Sequence, residues 1–464
     1  MQNRPLFFPS YLAGMFLLLL SGTLLMGCNS STPASLPIKD VEVKPYEEAS
    51  FTDSDTFKTE IDTAMRTALA HENTLSTALG GYGTIEDMPT KMVEDANNLG
   101  TPINILDLFS KIYEAFAWKY KYGWSASKVT YTWKADGRME SGLLVEPTAV
   151  FHSKYPMLVF LHPTQTLRKY SPSKNNNSDD QLTTQLAKFA MAPLGYIVVA
   201  PDYPGLGDNT DTHPYCLTTL ANSAIGMIRA VSTLKTRWDG RIFIMGYSEG
   251  GYATLVTAKE IETKHPDLNL VAAAALDGPH SLSDTMHDLM LDAGADYATP
   301  YFLPYVVAGY GKAYPNVPEL QFENAIAEDV RTLLLKMMDG ESTGGEISDI
   351  MKRVDPYTGP SSVLTQGTLM ALRNQESEVS KKFKENDAYA GWTPSAHLLL
   401  SHNVYDDSVP VGNTQNAVKA WNGLTNVKAD YFLDYVPKLG TVHAGALPFA
   451  YLRGLAWINE QAGK

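Results

Sequence analysis

Gly246-Tyr247-Ser248-Glu249-Gly250 sets a serine between two glycines, directly after the apolar run Ile242-Phe243-Ile244-Met245 and before Gly251-Tyr252-Ala253-Thr254-Leu255-Val256. The first run has the pattern of a buried strand, the second that of a helix start. A serine at such a turn is forced into a strained backbone. Its hydroxyl is lifted above the sheet, beside a helix N-terminus that favours developing negative charge. Gly246 and Gly250 answer to the same geometry, because a Cβ at either would hold helix and strand apart. The pattern predicts a nucleophilic Ser248. A serine hydroxyl needs a base to take its proton and a third group to orient that base. Both stand further along the chain. Asp406 and Asp407 lie in His402-Asn403-Val404-Tyr405-Asp406-Asp407-Ser408-Val409-Pro410, straight after the apolar His397-Leu398-Leu399-Leu400. His443 lies in Gly440-Thr441-Val442-His443-Ala444-Gly445, after Ala429-Asp430-Tyr431-Phe432-Leu433.

Three groups so far apart in the chain must be gathered by a sheet. Val129–Trp133 and Gly142–Val145 carry strand patterns, and Met157–Leu161 and Tyr196–Ala200 are continuous apolar runs, as expected of strands buried on both faces. A helix is expected from Leu217 to Trp238, ahead of the Ser248 strand, and a further strand over Asn269–Leu276. Strand alternating with helix is the mark of βαβ units. More than a hundred residues then separate Leu276 from the strand at His397, with helical periodicity and many Met and Tyr. Insertions of that length often cover active sites, so residues 280–390 are expected to form a mainly helical lid. Residues 51–125 carry helical periodicity as well, and a final helix is expected over Gly445–Asn459. Lys174-Asn175-Asn176-Asn177-Ser178-Asp179-Asp180 is expected as a surface loop.

From about Val129 to the C-terminus, the lid excepted, the chain resembles the alpha/beta-hydrolase superfamily and, within it, the secretory-lipase-like and esterase branch. That resemblance implies an α/β architecture, a mostly parallel central sheet flanked by helices, to which the periodicity adds a large helical lid insertion and an N-terminal helical extension. It implies the order Ser, acid, His along the chain. The family's acid loop is typically Asp-x-x-Val-Pro, which selects Asp406 over Asp407, whose other role is a surface or helix-capping carboxylate. It also implies an oxyanion hole of two backbone N–H groups. One is that of Glu249. The superfamily usually has His-Gly after the corresponding early strand, whereas this chain reads His162-Pro163-Thr164-Gln165, and proline has no N–H to give. The second donor is therefore expected from Thr164 or Gln165. Ala200-Pro201-Asp202-Tyr203-Pro204-Gly205-Leu206-Gly207-Asp208 also fits this branch and would shape the floor of the site, with Asp202 and Tyr203 as candidate pocket-wall residues. The implied reaction is hydrolysis of a small-molecule or lipid ester through an acyl-enzyme, without a cofactor. A serine peptidase of the same fold and a non-catalytic binding lipoprotein are the competing readings. No His, Cys or carboxylate cluster has metal-ligand spacing, since His280 and His287 are separated on the expected lid. No Gly-rich dinucleotide fingerprint follows a strand.

With 44% hydrophobic and 19% charged residues, the composition is that of an ordinary globular protein. The formal net charge of -14 disfavours a nucleic-acid partner, which wants clustered Lys and Arg. At the N-terminus, Arg4 precedes the apolar stretch Leu12–Met26, which is short for a membrane span and suits a signal peptide over 1–27. Leu25-Met26-Gly27-Cys28 resembles a bacterial lipobox, with Met26 a less usual residue at its position. That resemblance implies acylation of Cys28, a lipid anchor in the membrane, and, from Asn29, sorting to the outer membrane of a Gram-negative cell envelope; secretion or a periplasmic location is the alternative. Residues 28–50 are expected as a polar tether. With Cys28 acylated, Cys216 has no partner for a disulfide. The expected organisation is thus signal peptide 1–27, tether 28–50, helical extension 51–125, hydrolase core 126–279 and 391–464, and lid 280–390.

Overall fold

Runs of apolar β-branched and aromatic residues become the middle of a nine-stranded sheet in the order β1-β2-β3-β5-β4-β6-β7-β8-β9. The computed structural model describes residues 38–49, 123–148, 154–174, 184, 186–209, 217–234, 236–435 and 441–464. The six strands on one side run parallel. They are β4 (Tyr155–Leu161), β5 (Ile197–Pro201), β6 (Trp238–Tyr247), β7 (Asn269–Leu276), β8 (His397–Asn403) and β9 (Val427–Phe432). β4 and β5 are buried along their whole length, which is why they appear as unbroken apolar runs rather than alternating ones. The other side is antiparallel: β1 (Ile38–Ala49), β2 (Gly123–Trp133) and β3 (Met139–Thr148), with β3 antiparallel to β5.

Three expectations need correcting. Residues 38–49, expected within the tether, form β1, an edge strand paired with β2 and carrying shifts in register at Lys39/Glu42 and Pro45/Glu47. Residues 123–125, expected as the end of a helical extension, open β2. The rest of that extension, the signal peptide with Cys28, Cys216 and most of the Asn-rich loop lie outside the described residues. Third, the helix expected to reach Trp238 ends at Ser232: α1 spans Leu217–Ser232 and Trp238 already belongs to β6. A turn at Asp239-Gly240 separates Trp238 from the apolar run, with Gly240 at φ 94° and the Asp239 carboxylate accepting the Arg241 N–H (2.9 Å). That turn hides the strand's start from a periodicity argument.

The segment between β7 and β8 contains six helices of eight residues or more: α3 (Thr285–Asp292), α4 (Phe302–Ala313), α5 (Glu328–Met337), α6 (Gly344–Met351), α7 (Gln366–Arg373) and α8 (Glu378–Glu385). Side-chain oxygens cap three of them. Thr343 and Glu346 form a capping box at α6, while Thr365 and Ser377 accept the Thr368 and Ser380 N–H groups of α7 and α8. Hydrogen bonds fasten this insertion to the core. Tyr252 donates to Asn386 O (2.8 Å), and the Arg168 N–H donates to Gly340 O (2.7 Å). Of the remaining helices, α2 (Glu249–Lys264) packs on β6 and β7. α9 (Gly412–Ala420) lies between β8 and β9 in the chain, and α10 (Val442–Ala462) packs across β6, β7 and β8.

Candidate active site

Ser248 stands between β6 and α2 with φ 59° and ψ −123°, one of four non-glycine residues at positive φ among the described residues. Such a conformation persists only where its surroundings hold it. Here the Ser248 N–H donates to Leu276 O at the end of β7 (2.9 Å) and Ser248 O accepts the Tyr252 N–H in the first turn of α2 (3.0 Å). The glycines let that turn close. A Cβ on Gly250 would lie 2.0 Å from Leu161 O, and one on Gly246 would lie 2.3 Å from Gly250 O. Gly251, which the sequence did not single out, is constrained the same way: a Cβ there would lie 2.3 Å from Leu276 O.

α10 begins at Val442, three residues before the expected Gly445, so His443 sits in its first turn rather than in the loop ahead of it. Thr441 caps that turn by accepting the Ala444 N–H (3.0 Å). From there His443 Nε2 lies 2.9 Å from Ser248 Oγ and Nδ1 lies 2.5 Å from Asp406 Oδ2. A carboxylate can only accept, so Nδ1 carries the proton and Nε2 presents its lone pair to the serine hydroxyl. The other Asp406 oxygen accepts the Ser408 and Val409 N–H groups (2.9 and 2.7 Å). Burial alone would raise the Asp406 pKa, but the adjoining His443 and these N–H groups pull it below the ordinary carboxylate value. Asp407 does not meet the imidazole. It is exposed, and its oxygens accept the Val442 and His443 N–H groups at the start of α10 (3.0 and 3.3 Å). Tyr247 adds a further constraint by donating to His443 O (2.6 Å), its ring 5.0 Å from the imidazole.

Glu249 is the first residue of α2 and is fully buried. Thr164 and Gln165 lie in the half-buried loop after β4. A Cβ on Gly250 would also lie 2.8 Å from His162 O, so the start of that loop runs close against the Ser248 turn. His162 stacks on Tyr203 with ring centroids 4.0 Å apart, and Tyr203 donates to His162 O (3.2 Å). Asp202 is taken up by internal hydrogen bonds. Fully buried, it accepts from Ser141 Oγ (2.6 Å) and the Ser173 N–H (2.7 Å), tying the exit of β5 to β3 and to the short turn at Pro172–Lys174.

Above Ser248 opens a cleft enclosing about 650 Å³, its open mouth included. Its walls are Leu282, Met286, Met290 and Leu291 from the start of the insertion, with Phe302 and Leu303 from α4, Leu372, Phe383 and Val409. His287 reaches the same cleft and is otherwise engaged, with Nε2 3.0 Å from Leu372 O. His280 is fully buried.

One group of potential ligands exists among the described residues. Asp277, His402 and Asp406 each bring one donor atom within 4.8 Å of the others. His402 Nε2 lies 2.7 Å from Val409 O and must donate to it, while Nδ1 is engaged with the Thr414 hydroxyl (2.8 Å). The ring keeps no lone pair for an ion, so this donor set does not fit a metal. Sequence reasoning passed over Asp277 and Tyr247, because both act through partners more than a hundred residues away in the chain.

The sheet order and the strand-turn-helix that carries Ser248 define an alpha/beta-hydrolase fold. Residues 173–463, more than half of the chain, match the model of the secretory lipase family, and the chain belongs to that family. Lipase 1 of Candida albicans is 23% identical over 251 residues, which make up 52% of this chain and 51% of that protein; the chain thus spans about half of that relative's length. Among solved structures, a candidate hydrolase from Legionella pneumophila superposes with a TM-score of 0.65 at 22% identity, over 91% of this chain and 98% of that one. The rice cell wall degrading esterase LipA from Xanthomonas oryzae, in a ligand-bound form, gives 0.61 at 23% identity, over 75% and 94% of the two chains. At these identities the structural likeness establishes the fold.

Proposed function

We propose that the protein is a serine hydrolase of carboxylic esters, with Ser248 as nucleophile, His443 as general base and acid, and Asp406 as the group that orients and stabilises the imidazole. The observation that carries this reading is the chain of hydrogen bonds from Ser248 Oγ to His443 Nε2 and from His443 Nδ1 to Asp406, at 2.9 and 2.5 Å. Ser248 Oγ attacks the ester carbonyl as its proton passes to Nε2. The oxyanion is held by the Glu249 N–H and by that of Thr164 or Gln165. The imidazolium then protonates the leaving alcohol, and water, activated by the same ring, releases the acid. An apolar acyl group suits the cleft of Met286, Met290, Leu291 and Phe302. Among the described residues, none that lines the cleft is a carboxylate that could grip a peptide amino terminus, which favours esters, lipid esters among them, over peptides. Replacing Ser248 by Ala is expected to lower p-nitrophenyl ester hydrolysis by about 10³-fold or more and to abolish labelling by a fluorophosphonate. Full hydrolysis by the purified variant would end the proposal.

For location we propose export with acylation at Cys28 and attachment to the cell envelope, at the outer membrane. The apolar stretch Leu12–Met26 followed by Cys28 supports it, and more than one acyl chain makes such anchoring stable. Among the described residues no helix is long and apolar enough to cross a membrane. Cys28→Ala is expected to move the protein from the membrane fraction to the soluble one and to stop incorporation of labelled palmitate. Retention of both by the variant would contradict the anchor.

A further inference from the structure

Asp277 is a buried acid to which the proposed reaction assigns no part. It follows the last residue of β7 with φ 43°, an uncommon backbone for a residue with a side chain, and it is fully buried. Its N–H donates to Ser401 O of β8 (2.9 Å), and its Oδ1 accepts the Asn403 N–H (2.8 Å). Its Oδ2 is buried too and has no hydrogen-bond partner among the described residues. Asp277 comes within 4.8 Å of both the Asp406 carboxylate and the His402 ring. Tyr247 at the end of β6 and Asp430 of β9 also act on Asp277, while His443 of α10 faces Asp406, Asp407 meets the His443 N–H, and His280 in the loop after β7 faces His402. Arg453 of α10 pairs with Asp430 (3.3 Å) and offsets its charge.

Two carboxyl groups sealed together at this separation cannot both ionise without strong repulsion. Their surroundings decide which one keeps the charge. Asp406 has His443 and two backbone N–H groups on its oxygens, whereas Asp277 has a single N–H. Burial, reinforced by the negative Asp406, pushes the Asp277 carboxyl well above its usual range.

We propose that Asp277 is a positioning residue for the triad: a neutral carboxylic acid whose Oδ2 proton is turned toward Asp406, holding that carboxylate in place and moderating the basicity it confers on His443. This rests on the reading of Ser248, His443 and Asp406 as the catalytic groups. No net proton is exchanged in a turnover, since Asp277 keeps its proton throughout.

The test compares the full-length wild type, Asp277→Asn and Asp277→Ala. The first measurement is kcat/KM against pH on a p-nitrophenyl ester, whose acidic limb reports His443. Alanine removes the donor, concentrates charge on Asp406, and is expected to move that limb upward by about half a pH unit or more. Asparagine is neutral, keeps an acceptor for the Asn403 N–H and puts an N–H where the acid has its proton. It is expected to return the limb to within about 0.3 unit of wild type. An Asn limb displaced downward would mean that a negative charge had been removed, and would overturn the proposal; so would an Ala limb identical to wild type. The second measurement, independent of turnover and of whether the Ala variant folds, is the infrared difference between wild type and Asp277→Asn at neutral pH. Loss of a protonated-carboxyl carbonyl band is expected, and loss of carboxylate bands instead would overturn the proposal. If the ester-hydrolase reading itself fails, Ser248→Ala reveals that separately, while the infrared result still stands.

Discussion

Two consecutive aspartates, Asp406 and Asp407, reach the same histidine by different routes. Asp406 is buried and meets the imidazole itself, while Asp407 is exposed and meets the backbone that carries it. Asp406→Asn would keep the shape but offer an amide where a charged acceptor is needed, favouring the wrong imidazole tautomer. A loss of about 10⁴-fold in kcat is expected, as for the equivalent change in other triads. Asp407→Asn still accepts a hydrogen bond at the start of α10 and loses a screened charge near the positive end of that helix. It is expected to lower kcat by about tenfold or less. Comparable losses in the two variants, measured on one ester at one pH, would show that the assignment of the acid is wrong. Both aspartates are visible in the sequence after an apolar run, and the offset to Val409-Pro410 separates them only through family resemblance. The structure separates them physically, by burial. Asp277 has no such local signal, since Leu276-Asp277-Gly278 becomes informative only once β8 lies beside it.

At the scale of elements, the turn at Ser248 depends on space rather than attraction. A Cβ on Gly250 would stand 2.0 Å from a backbone carbonyl, an atom that cannot rotate away. Gly250→Ala is therefore expected to destabilise the protein by about 3 kcal/mol or more, as severe overpacking does. Gly367→Ala, in α7 with open space around it, is expected to be neutral or stabilising by up to about 1 kcal/mol through helix propensity. Urea midpoints of the two variants check this pair, and similar values for both would discount the close approach. Gly246 and Gly250 were legible because the motif has a known reason for each of them. The parallel strands were legible too, since Met157–Leu161 and Ile197–Ala200 are buried on both faces and contain no polar interruption. β1 was not. In Ile38-Lys39-Asp40-Val41-Glu42-Val43-Lys44-Pro45, only Ile38 is buried, and the charged residues and Pro45 that protect an edge strand also make it look like a linker. Its partner β2 is far along the chain, so no local turn announces the pairing.

Across the whole molecule, several carboxyl groups are buried without enough partners to keep them charged, and this sets how stability responds to pH. Burial raises the pKa of Asp202 and, despite Arg138 nearby, that of Glu140; Asp277 follows the same direction. For each, the folded chain retains a proton that the unfolded chain releases above about pH 4. The folded state then binds more protons than the unfolded one, so stability falls as pH rises from about 4 to the raised value and levels off beyond it. Asp208 runs the other way: burial opposes its charge, but Lys128 and Lys174 outweigh it and hold the pKa below the ordinary value. Its contribution is present above about pH 4 and fades as pH falls through that lowered value. Asp202 offers a clean test, because burial outweighs the Ser141 and Ser173 hydrogen bonds and the nearby His162, all of which pull its pKa down. Asp202→Asn keeps a neutral group of the same shape and removes the proton linkage. The difference in Tm between variant and wild type is expected to shift steadily in favour of the variant from about pH 4 upward, then to become constant. A difference independent of pH over that range would show that Asp202 has the same affinity for protons folded and unfolded, and that its burial between β3 and β5 is compensated by something other than neutralisation.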